Sequence, residues 1–482
     1  MVFKRPIIIA FSVLIPVVVL AAGEWPMFQH DAQHTGFSPD SVYPPFDVRW
    51  TQTGGGKGCL AGGRLFVITN DDEVSALDAQ DGRVLWRRNT GTDIRATSTD
   101  GEVLFVGAIW WPNWPSFFAF DAWTGRTLWT CTTGTVNAGP VVHDGVVYFT
   151  NGSFGGKTSV RAAEARTGRL LWQFSVPVSF PYGGFWFAPA YWNGRVYAAT
   201  DSGMVYALNG STGDTLWSFP SIGWFNSGPA VANGLVYFCS NGVLIALDAV
   251  TGAIRWGERL GYWGLGSIPT TPAIYESLVY ACGVQVGAQG PVDTLYCLNA
   301  LTGKRIWTRG SEYAGWVSPV VSGNGLLFIG VEDTLWTLKA ETGEVLDKHV
   351  FGDSGYISDG WPMISGNMVY VASGRLYALD GQIPPGRSIG DLFKVYPNPF
   401  REHTTFDYQL SGRARVSVTL YDVLGRQVKV LEEGEKYPGR HVLVWDGTSD
   451  RGWEAPAGVY ICRFELNGKL SYRQTVRLVH LR

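Results

Sequence analysis

The chain has 482 residues, too long for one ordinary domain unless that domain is a closed repeat structure. Hydrophobic residues make up 46% and charged residues 16%, which excludes a disordered chain. A formal charge of −3, with no Lys/Arg block past the first residues, argues against nucleic acid as a partner.

Taken in chain order, residues 1–23 read as a signal peptide. Lys4 and Arg5 form the charged start, Ile7 to Leu20 the apolar stretch, and Ala21 to Gly23 the small-residue cleavage zone. The apolar stretch is shorter than a membrane span, so no span is expected after cleavage, and no Cys follows it to carry a lipid. The expectation is an exported protein, secreted or held at the outer cell surface. FQHDAQHTG follows, with His30 and His34 near Asp31. Two such ligands do not make a metal site, and the segment is expected to wrap the ring built by the rest of the chain. TGGGKGCL (53–60) lacks the spacing of a phosphate loop.

From Ala76 on, one pattern recurs. SALDAQDGRVLW ends at Trp86, FAFDAWTGRTLW at Trp129, RAAEARTGRLLW at Trp172, YALNGSTGDTLW at Trp217, IALDAVTGAIRW at Trp256 and YCLNALTGKRIW at Trp307. WTLKAETGEVL is a seventh copy, with Leu346 expected in the Trp position. The acidic or amide position falls at Asp78, Asp121, Glu164, Asn209, Asp248, Asn299, Lys339 and Asp380, a period of roughly forty residues. Each unit holds a Pro-led apolar run, an Asn-Gly or Asp-Gly turn, the ALD strand, a Thr-Gly turn and a last strand ending in Trp. That is four short strands, one propeller blade. The eighth ALD (378–380) has no final strand, while FDVRWTQTG, with Trp50, is a spare one. The expected fold is therefore all-β: an eight-bladed propeller over residues 24–385, closed by its N-terminal strand.

A-x-D-x-x-T-G-x-x-x-W at blade spacing resembles the quinoprotein-type (PQQ-like) repeat propellers over roughly residues 24 to 385. The resemblance implies that Trp50, Trp86, Trp129, Trp172, Trp217, Trp256 and Trp307 dock between neighbouring blades. It also raises a quinone-dependent dehydrogenase, whose branch implies a vicinal Cys-Cys pair, acidic and amide calcium ligands and a catalytic Asp. This chain has neither Cys-Cys nor C-x-x-C-H, and its seven histidines assemble no Ser/His/Asp set. The expectation is no enzyme, no catalytic residue, no cofactor and no metal.

The segments joining one blade to the next are aromatic: SFPYGGFWFAP, SIGWFNSGP, GYWGLGSIPTTP, SEYAGWVSP and GYISDGWP. Propeller connectivity gathers them on one face, so Trp186, Trp224, Trp263, Trp316 and Trp361 form a candidate ligand ring, with Asn226 and Asp359 as polar contacts. Such platforms suit a glycan or a protein segment; the competing reading is that these side chains fill the ring's wide centre. An insertion in the second blade adds Trp110, Trp111 and Trp114. Cys282 and Cys297 flank GAQG at nearly equal distances, so a hairpin there brings them opposite each other. A disulfide and two buried thiols both remain open. The other four cysteines read as small apolar residues.

GQIPPGRSIG breaks the period, and a linker is assigned to 386–394. Residues 395–482 read as about seven alternating strands of a small β-sandwich. YPNPF (396–400), YDVLGRQV (421–428), WDG (445–447) and AGVYICRF (457–464) resemble the Ig-like domain of flagellar hook-capping proteins and the C-terminal sorting domain of type IX secretion cargo. The resemblance implies contact with secretion machinery. DGTSDRG (446–452) has the oxygen donors to hold calcium, but reads first as an Asp/Gly turn. The expected function is an exported, non-catalytic scaffold that binds a protein or glycan. One alternative is an outer-membrane assembly scaffold, against which the missing anchor Cys and the extra domain argue. The other is a PQQ-dependent oxidoreductase, against which the missing Cys pair argues.

Overall fold

The computed structural model describes residues 24–482 except 110–113, 153–156, 178–183, 222–226, 262–269, 288–289, 312–317, 353–356, 358–360, 383–392, 397, 402, 411–413, 437–438, 468–470 and 482. The signal-peptide reading of 1–23 and most of the assigned linker lie outside the described residues. Among the described residues the chain is all β-strand, with no α-helix and so none long and apolar enough to cross a membrane.

Eight four-stranded antiparallel meanders follow one another. Their first strands are Gly58–Ala61, Ile94–Thr99, Val141–His143, Ala190–Trp192, Ala230–Ala232, Ala273–Tyr275, Val320–Val321 and Met363–Ser365, which number blades 1 to 8. From blade 1 to blade 7 each first strand approaches the next, so these short, buried strands ring a common axis. The tight links follow from local chemistry. Asn193 and Gly194 both adopt positive φ (46° and 74°), the turn whose twist suits a two-residue hairpin.

Blade 8 is completed by Phe46–Thr53, which pairs antiparallel with Arg375–Gly381, Phe46 opposite Gly381 and Trp50 opposite Ala378. The ring therefore closes without a free edge between its ends.

The fourth strands share an irregularity. In blade 5 the register steps from Ala246–Trp256 to Leu247–Ile254, so Arg255 is left as a bulge. The same step occurs in blade 1 at Leu85 and in blade 4 at Leu216. A bulge bends the strand and re-aims the next side chain, here the Trp. This corrects the seventh repeat. Thr337 stands opposite Asp347 and Leu338 opposite Val345, so Asp347 holds the Trp position and Leu346 is the bulge residue, its side chain in solvent.

Cys282 pairs with Leu295, and Cys297 with Tyr280. The hairpin turn thus offsets the two cysteines instead of facing them, and both are free thiols. Burial pushes the Cys59, Cys239, Cys282 and Cys297 thiols up to about 12, which removes the reactive thiolate at neutral pH. Native protein should thus leave these four thiols unlabelled by iodoacetamide at pH 7.5 and release them after unfolding without reductant. A mass lower by two hydrogens would instead show a disulfide.

The C-terminal sandwich packs a three-stranded sheet, ordered Phe393–Tyr396, Thr404–Leu410, Gly439–Trp445, on a four-stranded one, ordered Gln427–Lys436, Ala414–Asp422, Gly458–Asn467, Ser471–His480. The first strand starts at Phe393, two residues inside the assigned linker. Phe393 stacks on Phe464 across the sheets at 4.5 Å, beside the buried Trp445 and Tyr408. Asp446 accepts the Thr448 amide (3.0 Å), so DGTSDRG opens as a side-chain-capped turn.

Candidate functional site

The repeat tryptophans build the junctions between blades. Trp256 of blade 5 lays its ring on Gly303 in the Thr-Gly turn of blade 6. A Cβ there would sit 2.6 Å from the indole, and Gly303 has φ +71°, so only glycine admits this stacking. The Trp256 indole N–H donates to the Ala300 carbonyl at 2.8 Å. The same contact joins Trp50 to Gly82 and Ala79, Trp86 to Gly125 and Ala122, and Trp129 to Gly168 and Ala165. It joins Trp172 to Gly213 and Gly210, Trp217 to Gly252 and Ala249, and Trp307 to Gly343 and Ala340.

A second donor escaped the sequence reading. The Tyr237 hydroxyl reaches the same Ala300 carbonyl (3.1 Å), using the oxygen's other lone pair. Tyr148, Tyr197, Tyr280 and Tyr370 do likewise at Gly210, Ala249, Ala340 and Ala79. The signal was present in the Val-Tyr that recurs in the second strands of five blades, where Phe66, Phe105 and Phe328 replace Tyr in blades 1, 2 and 7.

The junction from blade 7 to blade 8 lacks this latch, and the segment before the ring replaces it. The Asn324 side chain bonds Val42 twice, donating to its carbonyl at 2.7 Å and accepting its amide at 3.3 Å. Phe46 meets Phe328 at 5.9 Å, and the Gln382 amide donates to the Tyr43 carbonyl.

Upstream, residues 25–40 touch every blade. Trp25 exchanges two backbone bonds with Leu60 of blade 1, and the Pro26 carbonyl accepts Thr99 N–H of blade 2. Met27 and Ala32 pack on Val141 of blade 3. The carbonyls of Ala32, Gln33, Thr35 and Gly36 then accept, in order, the amides of Tyr191, Val231, Ile274 and Val321, one from each first strand of blades 4 to 7. Asp40 accepts the Gly366 amide in blade 8 at 2.7 Å. One peptide in contact with all eight blades at these inner strands must lie on the axis: the segment expected to wrap the ring fills its centre. Asp31 shapes it, its carboxylate taking the Gln33 and Thr35 amides and the Thr35 hydroxyl.

His34 lies in this plug, fully buried, with Nδ1 3.1 Å from the Pro229 carbonyl. A carbonyl only accepts, so Nδ1 carries the proton and Nε2 is a bare acceptor. Burial holds its pKa down at about 4, so the ring is neutral.

Of the candidate ligand ring, Trp186 and Trp361 are described; Trp224, Asn226, Trp263, Trp316 and Asp359 lie outside the described residues, as do Trp110 and Trp111. Both described tryptophans are half-buried. Trp186 covers Gly152, where a Cβ would sit 2.8 Å from the indole, and it hydrogen-bonds Asp201. Burial raises that carboxyl although the Gly184 amide also donates to it at 2.7 Å. Trp361 meets the plug, its ring 4.7 Å edge-on from Phe28. Trp361 thus stands against the plug, whose residues close the centre of the ring beneath it. Trp114 in the blade 2 insertion is half exposed and leans on Gly91.

The described residues at the axis do not offer a ligand set for a quinone with its metal. Among the described residues no group of three or more His, Cys, Asp or Glu side chains is placed to hold a cation. Asp31, Asp40 and His34 already bond the chain's own groups.

These features define an eight-bladed propeller of Trp-latched repeats with a plugged axis, followed by an Ig-like sandwich. The chain belongs to the outer membrane protein assembly factor BamB family, whose profile matches residues 47–157, 156–283 and 291–383. The FlgD Ig-like domain profile matches 400–467. Tetrathionate hydrolase of Acidithiobacillus ferrooxidans is 29% identical over 38% of this chain and 40% of its own length. The chain spans less than half the length of the curated relatives it matches. Among solved structures, BamB from Moraxella catarrhalis aligns over 70% of this chain and all of its own, at 17% identity and a TM-score of 0.56. Quinohemoprotein alcohol dehydrogenase ADHIIG from Pseudomonas putida HK5 aligns over 78% and 82%, at 15% identity and 0.61. At these identities the structural likeness speaks for the fold alone.

Proposed function

We propose that this is an exported, non-catalytic scaffold of the cell envelope that holds a protein segment at its aromatic face, with the Ig-like domain serving secretion or surface attachment. The observation that carries the reading is the plugged axis. The inner-strand amides that converge there are spent on the chain's own carbonyls, which turns recognition to the aromatic face, where Trp361 rests on Phe28 of the plug. Flat side chains with few polar groups suit extended, aromatic-bearing polypeptide. Membership of the BamB family favours a protein over a glycan. It also favours a narrower role, that of an outer-membrane assembly scaffold.

Intrinsic Trp fluorescence, titrated with extended aromatic peptides, a glycan panel and PQQ plus calcium, tests this. Saturable quenching by peptide is expected, weakened at least about tenfold in both Trp186→Ala and Trp316→Ala, as for loss of an interface anchor. Quenching by glycans alone makes the face a lectin site. Binding of PQQ with a new absorbance band brings back the quinone-dependent oxidoreductase. Depletion of outer-membrane β-barrel proteins in a deletion strain supports the assembly role, and unchanged levels count against it.

A further inference from the structure

The plug is held by many bonds and fits poorly. Gln29, His30 and His34 adopt φ of 54°, 76° and 57°, three non-glycine residues in the left-handed region within six positions. Among the described residues, Trp25 Nε1, Gln29 Oε1, His30 Nδ1 and His34 Nε2 are buried without a hydrogen-bond partner, and so is Trp361 Nε1 beside them. Each such group keeps its desolvation cost with no compensating bond. The latch carbonyls of Ala79, Gly210, Ala249, Ala300 and Ala340, by contrast, each accept two bonds.

What the ring asks of its plug is mainly backbone. Tyr191, Val231, Ile274 and Val321 present amides to carbonyls, a recognition that tolerates many side chains. The segment runs on through Tyr43, Pro44 and the exposed Pro45 into the closing strand.

We propose that residues 24–42 are an exchangeable internal ligand: the inner strands form a peptide site, filled at rest by this segment and able to take the same sequence from a second copy of the chain. The strain and the orphaned polar atoms make exchange possible. The covalent link makes it rare, because a short tether holds the plug at a millimolar effective concentration. This goes beyond the partner reading above and needs no outside protein, so either can fail without the other.

Hydrogen exchange on the unmodified full chain tests it first. The Tyr191, Val231, Ile274 and Val321 amides should exchange as one group, at least about a hundredfold faster than the ladder amides of blade 4 second strand Arg195–Ala199. Exchange of all these amides only with global unfolding overturns the proposal. The second test inserts a protease site at Pro45, folds the full chain, and then cuts it. A fluorescent 24–42 peptide should bind the cut protein at least about tenfold tighter than the uncut one, and its Asp31→Ala version should lose at least about tenfold. A folded, cut protein that neither releases its fragment nor takes up peptide overturns the exchange, as does unfolding on cleavage.

Discussion

Replacing Trp256 by Ala should cost about 3–5 kcal/mol of unfolding free energy, the range for emptying a buried indole site. The indole is almost wholly buried, and its ring is stacked on Gly303. Its N–H bond to Ala300 is one of two at that oxygen, so Tyr237 continues to satisfy the carbonyl after the substitution. Most of the loss is therefore packing. Trp256→Phe, which keeps much of the ring and drops the N–H, should cost only about 1–2 kcal/mol. Trp123 supplies the control. It is 53% exposed, with the Arg64 guanidinium 3.4 Å from its ring, so Trp123→Ala should cost under about 1 kcal/mol. Urea denaturation of the three variants decides it. Equal losses at Trp256 and Trp123 would end the blade-latch account.

The second large effect is acid sensitivity carried by His34. Its pKa is about 4 in the folded protein against 6.5 as the ordinary value, with burial as the main cause and the Pro229 and Asp31 contacts opposing it. Below pH 6.5 the unfolded chain takes up a proton that the folded one refuses, so stability falls as pH falls. The loss saturates near pH 4 at about 3 kcal/mol, 2.5 units at about 1.36 kcal/mol each. Glu24 and Asp201 work in the other direction. Burial raises both carboxyls, so their unfavourable ionisation is relieved in acid. The His34 contribution is isolated by comparing urea midpoints at pH 7 and pH 4.5 in wild type and His34→Asn, whose amide can still donate to Pro229. The variant should lose markedly less stability on acidification. Parallel losses would remove His34 as the cause.

The repeat made the propeller legible because each unit solves the same packing problem with the same residue types. Trp, Thr-Gly and the acidic residue recur at fixed spacing, and the spare strand at Trp50 settled the blade count. Where one marker was missing, the pattern failed. Without a Trp to anchor the count, Leu346 drew the alignment by its apolarity, although Asp347 holds the position in the observed register. Cys282 and Cys297 failed for a related reason: turn composition does not fix a hairpin's register, and a shift of two parted them. The Tyr donors were visible as a repeat but indistinguishable from ordinary strand residues. The plug was illegible in its role. It occurs once, has no period, and binds through carbonyls that every residue carries. Of the candidate ligand ring, connectivity led the sequence reading to expect the tryptophans on one face, an expectation that for Trp224, Trp263 and Trp316 falls outside the described residues; it could not show that Trp361 rests on Phe28 of the plug.

The pairing of Phe46 with Gly381 also sets an order of events in time. The closing strand lies near the start of the chain and its partner near the end of the ring, so the last ladder cannot form until almost the whole propeller has been made. Contacts this far apart in sequence are slow to form. Until then, the first strand awaits its partner, and the outer edge of blade 8 stays open to any other strand nearby. Once the ring shuts, opening it must break the Phe46–Thr53 ladder and the Trp50 latch together. The closure that makes folding slow should therefore make the finished protein long-lived, with a lifetime set by its unfolding barrier.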